Sequence, residues 1–164
     1  LSINYKSKTY SKIGLEKKVT LDIIDALNVL LADKHVLYIK TRNYHWNVKG
    51  DSFLELHEFF EKLYKEGEEH IDLIAERIRK LGHEVNGSMQ DFLKQSQLNE
   101  ASQPFNEPKK MIGQLLEDHE TVIRWIRNHV SVAGDAEDFG TEDFLVSLLQ
   151  AHEETAWMLR SYIG

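Results

Sequence analysis

Asn43–Glu76 reads NYHWNVKGDSFLELHEFFEKLYKEGEEHIDLIAE, and the spacing of its residues decides how the chain folds. Lys49, Gly50 and Asp51 make a turn with His45 on one side and His57 on the other; Asp72 and Glu76 follow, one helical turn apart. Imidazole nitrogen together with carboxylate oxygen suits iron, manganese or zinc, and an open mixed site of this kind supports redox chemistry on Fe(II).

Geometry limits how such a site can form. If Ser52 to Leu81 is one helix, His57 and Asp72 lie roughly 22 Å apart along its axis at 1.5 Å per residue. Ligands of one ion lie about 2 Å from it. One chain therefore cannot bring the histidines and the acids to the same metal. Two copies of the helix packed antiparallel about a two-fold axis can, because each His57 end then meets the Asp72 and Glu76 end of its mate, and the symmetry builds two equivalent sites.

Outward from this stretch, apolar residues recur at helical spacing throughout. Helix A is predicted from Leu15 to about Val48 through Ile23, Ile24, Leu27, Leu30, Leu31 and Leu37. Helix B is predicted to open on a capping box of Ser52 with Glu55, to run through Leu56, Phe60, Ile74 and Ile78, and to end at Gly82. The polar stretch 83–106 carries an apolar patch, Met89, Phe92 and Leu93, that predicts a short helix. Helix C is expected near Asn106 with Pro108 in its first turn, and helix D is expected to be capped by Thr141. Four helices with one long crossover between B and C is all-α, ferritin-like four-helix-bundle connectivity, here spanning residues 15–164. Residues 1–14 have no apolar period and predict a flexible basic arm.

Composition narrows the function classes. The 164 residues fit one domain, and the absence of cysteine rules out disulfides and thiolate metal sites. No run of about 18 apolar residues is present and the first residues do not read as a secretory signal, so a soluble, cytoplasmic protein without membrane contact is expected. Leu1 in place of methionine predicts a trimmed start. Net charge is −7, with Lys6, Lys8, Lys12, Lys17 and Lys18 against Glu16 in residues 1–18, which leaves residues 19–164 at −11. An acidic body attracts cations and repels nucleic acid, and only the arm could draw phosphate.

Bundles that hold two irons inside one subunit use Glu-x-x-His on two helices. The residues three before the eight histidines are Ala32, Arg42, Leu54, Gly67, Lys80, Leu116, Ile126 and Leu149. None is glutamate, so the intrasubunit site is missing.

NYHWNVKG, LHEFFEKLY, Asp72-x-x-x-Glu76 within HIDLIAERIRKLG, and TAWML near the end resemble the Dps family, the ferritin-like mini-ferritins of starved or peroxide-stressed bacteria. The resemblance implies a hollow homododecamer, sites at dimer two-folds, and Fe(II) oxidised by hydrogen peroxide before storage as ferric mineral. It places His45 and His57 from one subunit with Asp72 and Glu76 from its mate, up to two irons per site, and Zn or Mn as substitutes. Glu61 stands where the family commonly has an aspartate for the second iron. Trp46 sits beside the site in the family and would intercept stray oxidising equivalents; a packing aromatic is its ordinary reading. Asp143 and Asp138 fall where the family surrounds an iron-entry pore, and acids there concentrate cations. Taken singly, His45 reads as a packed residue at a helix end and Asp72 with Glu76 as a solvated face, although like charges one turn apart disfavour a helix. His119 and His152 lie on apolar stripes and read as satisfied core histidines, while His35, His70, His83 and His129 are expected to be exposed and unassigned.

The expected function is an iron-storage and detoxification ferroxidase. The competing readings are a DNA-compacting or adhesive shell in which the arm binds DNA and the metal site is secondary, and a manganese or zinc carrier.

Overall fold

The computed structural model of the chain describes residues 11–101 and 107–164, apart from the side chains of Lys17 and Val19. Helix α1 spans Lys17–Asn47, α2 Phe53–Lys80, α3 Met89–Gln95, α4 Pro108–Asp135 and α5 Phe139–Ile163. The expected bundle with a short helix in its long crossover is therefore the observed one. Most of the expected basic arm, with Lys6 and Lys8, and the helix start near Asn106 lie outside the described residues.

The helices pack as two hairpins. α1 lies against α2 and α4 against α5; α1 also meets α3 and α4, while α2 and α5 touch sparingly. The predicted stripes close on one core in which Ile24, Leu27, Leu30, Phe60, Ile74, Ile78, Ile112, Leu115 and Val122 are buried. Each such side chain contributes roughly 1.5–3 kcal/mol by leaving water. In the crossover, Phe92 is buried and stacks on His35 with ring centroids 3.7 Å apart, whereas Met89 and Leu93 stay exposed.

Helix ends refine the sequence reading. α2 stops as expected at Gly82, whose φ of +92° lets its N–H reach the Arg79 carbonyl (2.9 Å) and that of His83 reach Ile78 (3.2 Å). At the other end, Ser52 holds the N-cap position with ψ near 22°, outside the extended region that aims a capping hydroxyl at the first-turn amides, so the expected box does not form. α5 starts before Thr141. Its cap is Asp138, whose carboxylate accepts from the Thr141 amide (3.0 Å) and from the Thr141 hydroxyl (2.5 Å). Arg77 of α2 clamps the same corner, donating to Asp138 (2.7 Å) and to the Thr141 hydroxyl (2.9 Å). A Cβ at Gly140 would sit 2.9 Å from that guanidinium, so a side chain there would collide with the clamp.

Charge is also buried inside the bundle. Lys40 of α1 reaches Asp118 of α4 at 2.6 Å, with the two side chains 5% and 12% exposed. Burial pushes the Asp118 carboxyl up, and the Lys40 hydrogen bond offsets part of that shift. A second cation, Lys34, donates to His70 Nδ1 (3.2 Å) and His152 Nε2 (3.1 Å), and the His119 ring lies 4.8 Å from that of His152. Burial first, and the Lys34 ammonium second, push His70 down to about 4, His119 to about 3 and His152 well below the usual imidazole range. Burial likewise lowers Lys34 to about 8, with Glu66 opposing. At neutral pH an ammonium thus sits among three uncharged rings. His119 and His152 are core residues as expected, but only partly satisfied, because Nδ1 of each is buried without a hydrogen-bond partner. The expected exposed histidines are corrected too. His83 is 1% exposed, His70 faces Lys34, and His35 and His129 are half-buried on aromatic rings.

Two measurements follow from this packing. Asp138→Ala removes the α5 cap and strands the Arg77 guanidinium, and is expected to cost about 3 kcal/mol in urea unfolding. A histidine held neutral in the fold is protonated first in the unfolded chain, so stability falls as pH drops below 6.5 toward the folded value. His119 alone should contribute about 2 kcal/mol to the loss between pH 7 and pH 5. Urea midpoints at the two pH values should therefore differ less in His119→Leu than in the parent.

Candidate metal centre

The α1–α2 hairpin builds half of the candidate centre. His45 lies in the last turn of α1 and His57 in the second turn of α2, and their rings stack with centroids 3.8 Å apart at 23°. Each ring is held by the other residue's backbone. His45 Nδ1 donates to the His57 carbonyl (2.8 Å) and His57 Nδ1 to the His45 carbonyl (2.9 Å). A carbonyl only accepts, so each Nδ1 is the donor, and Nε2 is the ring nitrogen left for a ligand. Fixing one ring nitrogen on a carbonyl is how proteins orient an imidazole for metal ligation through the other.

Around the pair, Tyr64 packs edge-on to His45 at 5.3 Å and Phe53 lies 5.1 Å from His57. The Arg42 guanidinium sits 5.2–5.4 Å from the rings of Tyr38, Tyr64 and Trp46 and donates to the Tyr38 hydroxyl. Trp46 itself is 65% exposed. Glu61, one turn beyond His57, is gripped by Lys65 at 2.5 Å. That bond and the Lys65 charge hold its carboxyl below the usual range, and both imidazoles add to the effect, which places Glu61 within electrostatic reach of the pair.

The acids stand elsewhere. Asp72 and Glu76 are exposed on the same uninterrupted α2, with Glu76 bonded to Lys80 at 3.0 Å. Fifteen residues of α-helix separate Asp72 from His57, roughly 22 Å. Among the described residues no group of three or more His, Asp or Glu in one protomer is placed to hold a metal ion. The two halves of the donor set are thus present but apart. Exposed apolar side chains accompany both: Trp46, Phe53 and Leu54 at the histidine end and Leu73 between the two acids. Asp72 also lines an open groove of about 640 Å³ with Leu31, Ile71, Ala75 and Phe92. Of the acids at the α4–α5 corner, Asp143 is exposed, whereas Asp138 is 3% exposed and bound to Arg77.

Sequence spacing singled out four candidate donors but neither the reciprocal carbonyl bonds nor the Arg42 cage, which require knowing which faces meet. Lys34 had a signal: it falls three and four residues from Leu37, Leu31 and Leu30 on the apolar stripe of α1.

A ferritin-like domain profile matches residues 24–164. The chain is 45% identical over 152 residues to an uncharacterised low temperature-induced protein of a Nostoc species, covering 92% of this chain and 85% of the relative. It is 37% identical over 143 residues to DNA protection during starvation protein 2 of Bacillus anthracis, covering 87% and 97%. Among solved structures, the Dps protein of Vibrio cholerae superposes with a TM-score of 0.90 at 31% identity, covering 94% of this chain and 97% of that one. With an all-α bundle, the same long crossover and relatives of this identity along nearly its whole length, the chain belongs to the ferritin-like Dps family.

Proposed function

We propose that this protein is an iron-storing ferroxidase whose sites are completed between subunits. One observation carries the reading: two imidazoles, each held through Nδ1 so that Nε2 can serve as the ligand, lie at one end of a helix whose exposed acids stand about 22 Å away, so that a second copy supplies what the first lacks. His45 and His57 of one protomer and Asp72 and Glu76 of its partner then converge on Fe(II). Glu76 bridges when two ions bind, and Glu61 reaches the second after releasing Lys65. The family membership, and the description of the Vibrio cholerae relative as a member of a superfamily of ferritin-like diiron-carboxylate proteins, support iron as the substrate. Zn or Mn would be its substitutes in the same donor set.

In this reading each of two Fe(II) ions gives one electron to hydrogen peroxide, the O–O bond breaks, and two protons complete two waters without a free radical. Carboxylates favour the Fe(III) that forms because they offset its extra charge, while the neutral imidazoles leave room for the oxidant. Trp46, close to His45, takes up stray oxidising equivalents. A dodecameric shell would store the product in its cavity, with Asp143 exposed to draw cations inward and Asp138 holding that corner together.

Complementation tests the reading. Peroxide-driven Fe(II) oxidation by His57→Ala and by Asp72→Ala should fall to background. Assemblies grown from both variants together should recover about a quarter of the parent rate, since half of randomly formed pairs are mixed and each mixed pair has one intact site. No recovery would overturn the shared site. Undiminished oxidation in the single variants would overturn the residues' role.

A second reading is favoured by the lysine-rich start and by a Nostoc relative described as a nutrient stress-induced DNA-binding protein, 30% identical over 150 residues. DNA retardation that weakens steeply with salt, and disappears when residues 1–14 are removed, is its expected signature.

A further inference from the structure

The four long helices each send one polar side chain to the same level of the bundle interior: Lys34 from α1, His70 from α2, His119 from α4 and His152 from α5. His70 Nδ1 and His152 Nε2 aim their lone pairs at a single point, and the Lys34 ammonium stands on it, 3.2 and 3.1 Å away. His119 lies against His152, and the Nδ1 atoms of both rings are buried without a hydrogen-bond partner. Beside them is a void of about 10 Å³, bordered also by Glu66 and Thr155, with room for about one water. Two neutral imidazoles aimed at a compact cation, with a third ring beside them, are the start of a donor set for a borderline divalent ion such as Zn(II) or Co(II), whose nitrogen ligands sit at about 2.0–2.1 Å. His70 and His152 would each close in by about 1 Å to reach that distance, and His119 would have to turn toward the same point.

We propose that the centre of each bundle is a cation site already filled by the chain's own Lys34 ammonium, which keeps transition metal out of the protomer. Removing that ammonium turns His70, His119 and His152 into the ligands of one borderline divalent ion. An ammonium and a divalent ion cannot share so small a space. The assignment does not depend on the shared site between subunits, whose residues the parent and every variant below retain.

Co(II) titration of the native assembly, parent against Lys34→Ala, tests it. Bound metal per subunit is counted after gel filtration, and the visible absorption of four-coordinate Co(II) reports geometry. Lys34→Ala should hold one more Co(II) per subunit than the parent. Adding His152→Ala should abolish the gain, and Lys34→Met, which refills the space with an apolar chain, should not produce it. A parent that already holds the extra ion, no gain in Lys34→Ala, or a gain that survives His152→Ala would each overturn the proposal. Should Lys34→Ala prove unstable, its melting temperature with and without Zn(II) decides: recovery that requires His152 supports the proposal, and absence of recovery overturns it.

Discussion

α2 runs 28 residues without a proline or a break, and that stiffness governs everything the protein can do with its donors. A helix keeps residues at a fixed rise, so His57 and Asp72 stay about 22 Å apart whatever the rest of the bundle does. A loop in the same place could have folded the acids back on the histidines. Because the rod cannot bend so far, chemistry that needs both kinds of donor needs two molecules, and the exposed apolar residues beside each half offer surface for the second one to cover.

The hairpin of α1 and α2 supplies the other requirement, orientation. Where the two helices meet, each histidine takes its proton position from the other's carbonyl, and neither ring can turn without breaking the hydrogen bond that holds it. The resulting pair presents basic nitrogens at no further ordering cost on binding, which is what preorganisation means at a metal centre. Tyr64, Phe53 and the Arg42 cage close the surroundings, so the turn at 48–52 is both a fold element and the frame of the candidate site.

Charges buried in the bundle have a different logic. Lys40 with Asp118, and Arg77 with Asp138, are paired across helices, and removing one partner leaves an uncompensated ion. Lys34 has imidazoles where a carboxylate would be expected. Its hydrogen bonds go to lone pairs, with Glu66 adding a more distant opposite charge, and the histidines in turn are kept neutral by burial and by the ammonium. The interior is consequently sensitive to acid in a way that the apolar stripes would not suggest.

Much of this was legible in the residues themselves. Apolar periodicity located four long helices and the short one, Gly82 marked the end of α2, and the twelve-, fifteen- and four-residue spacings picked out His45, His57, Asp72 and Glu76, because these features depend on local geometry that repeats wherever the chain is helical. The Ser52 box, the α5 cap and the histidines assumed to be exposed came out differently, since each turned on a partner distant in sequence or on a backbone angle at one residue: ψ at Ser52, Arg77 against Asp138, Phe92 against His35, Lys34 against His70. The sequence alone determined the elements and the separation of the donors along one rigid helix; only the tertiary structure decided which nitrogens carry protons and which polar groups face one another across the core, because hydrogen bonds between helices depend on how faces meet.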